Sequence, residues 1–180
     1  MSALIVANRY AKSLLSLAVE RNELPEVKKD IDGLSAAFAA SKDLVQLLRS
    51  PIIKPEKKLS ILHTIFDGKL TKITQSFMDI VVRKRREAYL LEMTDAFQNL
   101  YRQREGIVLA NLETATAIDA ALIAKVTDIV KANTGAQKVE ISTTQNPKLI
   151  GGFVLEFDNK RYDASIVNKL AELRKEFSHN

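Results

Sequence analysis

NPKLIGGFVLEFDNKRYDAS, residues Asn146 to Ser165, sets the fold of the C-terminal part of this chain. Phe153, Leu155 and Phe157 alternate with Val154 and Glu156, the pattern of a strand with at least one buried face. Asp158-Asn159 falls where the chain must reverse, and Asn tolerates the left-handed backbone of a tight turn. Lys160 to Asp163 is then a short return strand. Ser165 stands as the N-cap of a final helix, its hydroxyl free to accept from a backbone N–H of the first turn. The adjacent Gly151 and Gly152 precede a strand and not a helix, so they do not form a nucleotide-type anion site. They mark a bulge or a close backbone approach.

Working backwards, the residues before this hairpin alternate strand and helix. Ile107 to Ala115 reads as a strand. Asp119 caps a helix to about Asn133, with Leu122, Val126 and Ile129 on one stripe and Gly135 as a left-handed stop. Lys138 to Thr143 is a second strand, with Val139 and Ile141 on one side. After Ser165, the stripe Ile166, Leu170, Leu173 and Phe177 suits a helix that covers one face of a small sheet.

Everything before Gly106 reads as helix. Residues 1–105 carry 18 Lys+Arg against 13 Asp+Glu, whereas residues 106–180 carry 9 of each, so the whole net charge of +5 lies in the first part. Charge and pattern change at the same place, which argues for two domains, 1–105 and 106–180. The expected fold is α+β overall: an all-α six-helix bundle, then a small α/β domain with a short sheet and two or more helices.

The six helices follow from local signals. Ala3 to Glu20 is apolar over roughly 200° of arc at about 100° per residue, twice what one buried face needs. A second helix starts at Pro25 and runs to about Ala40 on the stripe Ile31, Leu34, Phe38. Ser41 caps Lys42 to Arg49, and Ser50-Pro51 stops it. Pro55 opens a fourth helix, with Leu59, Leu62 and Phe66 inside, that ends near Gly68. Thr71 caps a fifth to about Arg86, in which Ile73, Phe77, Met78, Ile80, Val81 and Val82 again span roughly 200°. Ala88 to Arg104 carries Leu91, Phe97, Leu100 and Tyr101. An over-wide arc belongs either to a central helix with neighbours on two sides or to a helix that receives another protein.

Signals for chemistry are sparse. The chain has no cysteine, hence no disulfide or thiolate chemistry. It has two histidines: His63, read as a packing residue in an apolar helix, and His179 near the C-terminus. Neither suggests a zinc site. Phosphate-binding and dinucleotide-binding glycine motifs are absent. No apolar run approaches the ~18 residues of a membrane span, and Met1 to Ala7 does not have the form of a secretory leader. No active site, cofactor or metal is expected. Arg83-Lys84-Arg85-Arg86 reads as a solvated helix end, where cations offset the helix dipole, as a contact to an acidic protein or lipid surface, or as a nucleic-acid footprint. It lacks the aromatic interleaving of a base-stacking surface.

Four motifs in order carry a family resemblance that covers essentially the whole chain. Ala7-Asn8-Arg9-Tyr10-Ala11-Lys12-Ser13-Leu14 resembles the opening of the delta subunits of bacterial F-type ATP synthases, relatives of the mitochondrial oligomycin-sensitivity-conferring protein. Leu48-Arg49-Ser50-Pro51-Ile52-Ile53 resembles that family's mid-bundle segment. Arg104-Glu105-Gly106, with Val108, Ala110 and Thr114-Ala115, resembles its domain junction. Asn146, Pro147, Leu149, Gly151 and Gly152, with Asp163 and Ser165 further on, resemble its C-terminal signature. Gln145-Asn146 and Phe157-Asp158-Asn159 depart from the family's usual residues before the proline and at the turn.

The resemblance implies a non-catalytic stator connector. Its bundle would hold the N-terminal helix of an alpha subunit of the catalytic head in a groove between the first and fifth helices. Its C-terminal domain would join the b subunits of the peripheral stalk. Ala7, Tyr10, Ala11, Ser13 and Leu14 of the first helix and Ile73, Phe77, Ile80 and Val81 of the fifth are the groove candidates, with Tyr10→Asp or Val81→Asp expected to weaken head binding in a folded bundle. The implied protein is present once per complex, takes no cofactor, does not insert in the membrane, and lies on the cytoplasmic face of the bacterial cell membrane. The alternative is a basic helical nucleic-acid-binding protein.

Overall fold

The computed structural model describes residues 3–115 and 119–178, apart from the side chains of residues 120, 172, 173 and 175–178. Eight α-helices and four strands occur among them: α1 Ala3–Glu20, α2 Leu24–Ala40, α3 Lys42–Arg49, α4 Pro55–Phe66, α5 Lys72–Arg83, α6 Leu90–Glu105, β1 Ile107–Thr114, α7 Ala120–Thr134, β2 Lys138–Gln145, β3 Phe153–Phe157, β4 Lys160–Asp163 and α8 Ile166–Ser178. The chain divides into two compact units, Met1–Tyr101 and Arg102–Asn180. This is the α+β fold expected from the residues.

In the first unit, caps place the helices and one apolar cluster holds them. Ser41 Oγ accepts from Leu44 N–H at 3.2 Å and starts α3, a contact worth about 1 kcal/mol. Thr71 Oγ1 accepts from Thr74 N–H at 3.3 Å and starts α5. The Thr71 backbone N–H and hydroxyl both donate to Asp30 Oδ2, at 2.8 and 2.7 Å. That explains a nearly buried aspartate on α2, because a buried carboxylate needs such donors. The cluster joins α1 (Ala7, Ala11, Leu14, Ala18), α2 (Val27, Ile31, Leu34), α4 (Leu62), α5 (Met78, Val81, Val82) and α6 (Met93, Phe97). Each large side chain buried here contributes about 1.5–3 kcal/mol.

The boundaries around α5 and α6 differ from the sequence reading. Helix α5 ends at Arg83, three residues early, because Arg85 is left-handed (φ +55°) and closes the helix. A 3-10 turn, Glu87–Tyr89, then precedes α6. His63 also differs. It is exposed and lies 3.0 Å from Asp79 Oδ1, a surface pair and not a packing residue.

In the second unit the sheet order is β2-β1-β3-β4, with β1–β2 parallel and the other pairs antiparallel. Strand β2 runs two residues past Thr143, since its pairing with β1 continues to Thr114↔Gln145. Asp158 and Asn159 both have positive φ, as a two-residue hairpin turn demands. Register places Ala110, Leu112, Leu155 and Phe157 on one face, and they are buried with Val126 and Val130 of α7. The α7 helix therefore covers the sheet. The expectation that α8 does so is overturned: Ile166 and Leu170 are 43% and 55% exposed. A stripe at helical spacing shows that a helix has an apolar face, not what covers that face. Leu173, Phe177 and His179 lie outside the described side chains.

Gly152 is where the hairpin meets the last helix. Its φ is +77°, and a Cβ there would sit 2.3 Å from the Ala164 carbonyl oxygen. Close backbone approach, not a bulge, is the reason for Gly152, whereas the Ile166 side chain occupies the space beside Gly151. Gly152→Ala is expected to destabilise the second unit by about 2–4 kcal/mol, since strain and overlap add. Gly33→Ala, in open space on α2, is expected to stabilise by about 0.5–1 kcal/mol. Urea unfolding monitored by amide exchange of β3 and of α2 measures both.

Candidate partner-binding surfaces

At about 100° per residue, α1 divides into a core face and two flanks. Ala7, Ala11 and Leu14 lie on the core face and are buried, as are Ile73 and Val81 of α5. These five groove candidates belong to the buried cluster of the first unit, at 0–5% exposure. Tyr10, Ser13 and Leu17 follow one flank of α1 at helical spacing, Tyr10 half-buried, Ser13 and Leu17 exposed. Phe77 and Ile80 follow a flank of α5, Phe77 half-buried and Ile80 51% exposed. The Tyr10 and Phe77 rings meet edge to face with centroids 6.4 Å apart, a contact that adds about 0.5–1.5 kcal/mol. It joins the two flanks into one apolar strip, with Leu17 and Ile80 at its open edges.

Leu17 was missed among the candidates, although its position seven residues after Tyr10 was the available signal. Ser13 donates its hydroxyl to Arg9 O at 3.0 Å. It contributes a small, internally satisfied side chain to the strip.

The signature residues of the second unit are structural. Asn146 donates its backbone N–H to Thr114 O at 2.8 Å and its side-chain amide to Glu113 Oε2 at 3.2 Å, and its own Oδ1 accepts from Lys148 N–H at 3.2 Å. It thereby ties the end of β1 to the 3-10 turn Pro147–Leu149. Gly151 faces Ile166, and Gly151 O accepts from Ile166 N–H at 3.0 Å. Asp163 Oδ1 accepts from Ser165 N–H at 3.0 Å, and Ser165 Oγ accepts from Asn168 N–H at 3.2 Å, capping α8. The Ser165 hydroxyl first, and its backbone N–H second, hold the Asp163 carboxyl below the usual carboxylate range. These bonds fix the root of α8, around which Ile150, Ile166, Val167 and Leu170 are exposed.

Among the described residues, no group of three or more His, Asp or Glu is placed to hold a metal ion, and no helix is long and apolar enough to cross a membrane. What the geometry offers is apolar surface on helices.

A family model described as ATP synthase delta (OSCP) subunit matches residues 6–177. The chain belongs to that family. An ATP synthase subunit delta of Cytophaga hutchinsonii is 35% identical over 96% of this chain and 94% of its own length. One from Carboxydothermus hydrogenoformans is 34% identical over 97% and 98%. A chain of the mitochondrial ATP synthase hexamer of Toxoplasma gondii shares the fold, with a TM-score of 0.73, 21% identity, and coverage of 95% and 96%. Four sequence motifs thus led to the right family. The chain is a non-catalytic, structural component of ATP synthase.

The division of the arcs into core and flank has a direct consequence. Val81→Asp buries an unpaired carboxylate and is expected to cost about 3–5 kcal/mol, enough to unfold much of the first unit. Ile80→Asp and Leu17→Asp are expected to change stability by no more than about 0.5 kcal/mol. Thermal unfolding followed by circular dichroism separates the two classes.

Proposed function

We propose that this subunit is a stator connector. Its first unit holds the N-terminal helix of an alpha subunit of the catalytic head, and its second unit holds the b subunits of the peripheral stalk, so that the head does not turn with the rotor. The observation that carries the reading is the strip Tyr10, Ser13, Leu17, Phe77 and Ile80. Its apolar side chains lie at helical spacing on two touching helices, the form that receives an amphipathic helix. The aromatic pair gives the strip a rigid centre, where binding energy concentrates.

For the stalk contact, the support is the apolar stripe of α8 together with Ile150, which sits on the strained loop before Gly151 (φ +61°). A β-branched residue with positive φ costs of order 1–3 kcal/mol and needs a compensating use. The subunit works peripherally, as one copy per complex, on the cytoplasmic face of the membrane. It performs no chemistry; its task is to remain bound under torque, so slow dissociation matters more than fast encounter.

Titration of the full chain with a synthetic peptide of the matching alpha subunit's N-terminal segment tests the first contact. Saturable binding is expected, with NMR shifts centred on Tyr10, Leu17, Phe77 and Ile80. Ile80→Asp is expected to weaken it about tenfold or more with the melting temperature unchanged. Full affinity in folded Ile80→Asp and Leu17→Asp chains would remove the strip from the interface.

A further inference from the structure

The two edges of the sheet in the second unit are built differently. Strand β4, at one edge, is four residues long, and Lys160, Arg161 and Asp163 in it are charged. Shortness and charge keep a foreign strand from adding there. Strand β2, at the other edge, is eight residues long. Its pairing with β1 runs from Ile107↔Lys138 to Thr114↔Gln145 without a bulge, and it contains no proline. Its charges, Lys138 and Glu140, both lie in its first half, and Arg102 pairs with Glu140 at 3.0 Å. From Ile141 to Gln145 the strand carries none of the usual edge protections, and its outer side pairs with no other strand among the described residues.

Helix α7 leaves this edge open. Register puts Val139, Ile141 and Thr143 on the face that α7 covers, beside Val108, Ala110 and Leu112 of β1. Ala110 and Leu112 are fully buried, but Val139 and Ile141 are only half-buried and Thr143 is exposed. The cover therefore stops short of β2. Two β-branched apolar side chains stand partly open beside a row of unpaired backbone groups, the form that receives a further strand.

The residues of β2 select the occupant. A two-fold axis perpendicular to the sheet sets the β2 strands of two copies antiparallel, with their α7 faces on the same side. With the axis at Ile141, Ile141 meets Ile141 of the second copy, Val139 meets Thr143, Glu140 meets Ser142 and Lys138 meets Thr144. No like charges oppose each other, and the half-buried apolar side chains gain β-branched neighbours, a favourable cross-strand set. Neighbouring registers are worse. With the axis at Glu140 two carboxylates meet, and with the axis at Ser142 Ile141 faces Thr143.

We propose that β2 is a self-association edge, through which two copies of this chain join into one continuous sheet. The closed two-fold pair uses up the open edge of each copy, so growth stops at two. The pair is a form of the free subunit, and the inference does not rest on the stator reading. A pairing confined to one strand per copy buries well under the ~1,200 Å² of a stable complex, so it is weak and reversible, with a Kd of about 0.1–1 mM.

Sedimentation velocity of the full chain, at concentrations that bracket this Kd, is expected to show a monomer–dimer equilibrium. Amide exchange should show protection of Ile141 to Gln145 that rises with concentration. Thr143→Lys, at an exposed position, should leave the melting temperature unchanged and weaken association about tenfold or more. Because the chain has no cysteine, Ile141→Cys and Lys160→Cys each place a single thiol, one on each edge strand. Under mild oxidation Ile141→Cys is expected to form the disulfide-linked pair about tenfold faster than Lys160→Cys, since only opposed Cβ atoms meet the bond's geometry. A chain that stays monomeric, association that Thr143→Lys leaves unchanged, or equal cross-linking by the two thiols would overturn the proposal. A monomeric chain whose β2 amides become protected only when stalk subunits are added would overturn it in favour of a strand from another protein.

Discussion

The first unit depends on α1 being lined with alanine where it meets its neighbours. Ala7, Ala11 and Ala18 are fully inaccessible, and none of the largest fully buried side chains of that unit belongs to α1. They come from α2, α4, α5 and α6 and from the start of α6 at Leu90. Small side chains let helix backbones come close, and the bulky residues of the surrounding helices then fill the core to crystal-like density. The consequence for function is indirect but strict. Apart from Val6 and Leu14, which are buried, the larger apolar side chains of α1 lie on its flanks: Tyr10 and Leu15 half-buried, Leu4, Ile5 and Leu17 exposed. A larger residue at position 7, 11 or 18 pushes the helix outward, and the first geometry to be lost is the meeting of Tyr10 with Phe77.

A second constraint comes from charge in the core. Lys58 and Glu87 are both nearly buried and pair at 2.8 Å. Such a pair does not by itself stabilise a fold relative to apolar residues, because desolvation offsets the attraction. Glu87 Oε2 is also buried without a hydrogen-bond partner, which raises the cost. What the pair supplies is position. One ammonium satisfies the carbonyl of Leu48 near the end of α3 and the carboxylate in the 3-10 turn after α5, so the segments on either side of it have one arrangement. Breaking it leaves an uncompensated charge, and that penalty keeps the arrangement unique.

How much of this was legible in the sequence depends on how local the signal was. Ser41, Thr71, Asp119 and Ser165 act through their own side chains within three residues, Asn159 through a left-handed backbone, and the elements they begin or turn were readable from them. The over-wide arcs of α1 and α5 were readable too, since periodicity is a local property. Their division was not. Val81 and Ile80 are adjacent, equally apolar and on the same arc, yet one is inaccessible and the other half exposed. Only the direction from which α1 and α4 approach decides between them, and that is tertiary information. For α8 the failure is of the same kind. Its stripe was seen correctly, but α7, on the crossover from β1 to β2, takes the sheet face first. Arg85 shows the opposite case: four consecutive cations read as a helix end, and the left-handed backbone that makes one of them costly has no sequence signature.

On the proposed stator reading, the subunit need not be rigid everywhere, but each contact must lose little entropy on binding and release slowly. Half-buried aromatics meet the first condition, because Tyr10 and Phe77 are already ordered by each other before any partner arrives. Apolar strips meet the second, since their energy is gained at contact and is insensitive to salt.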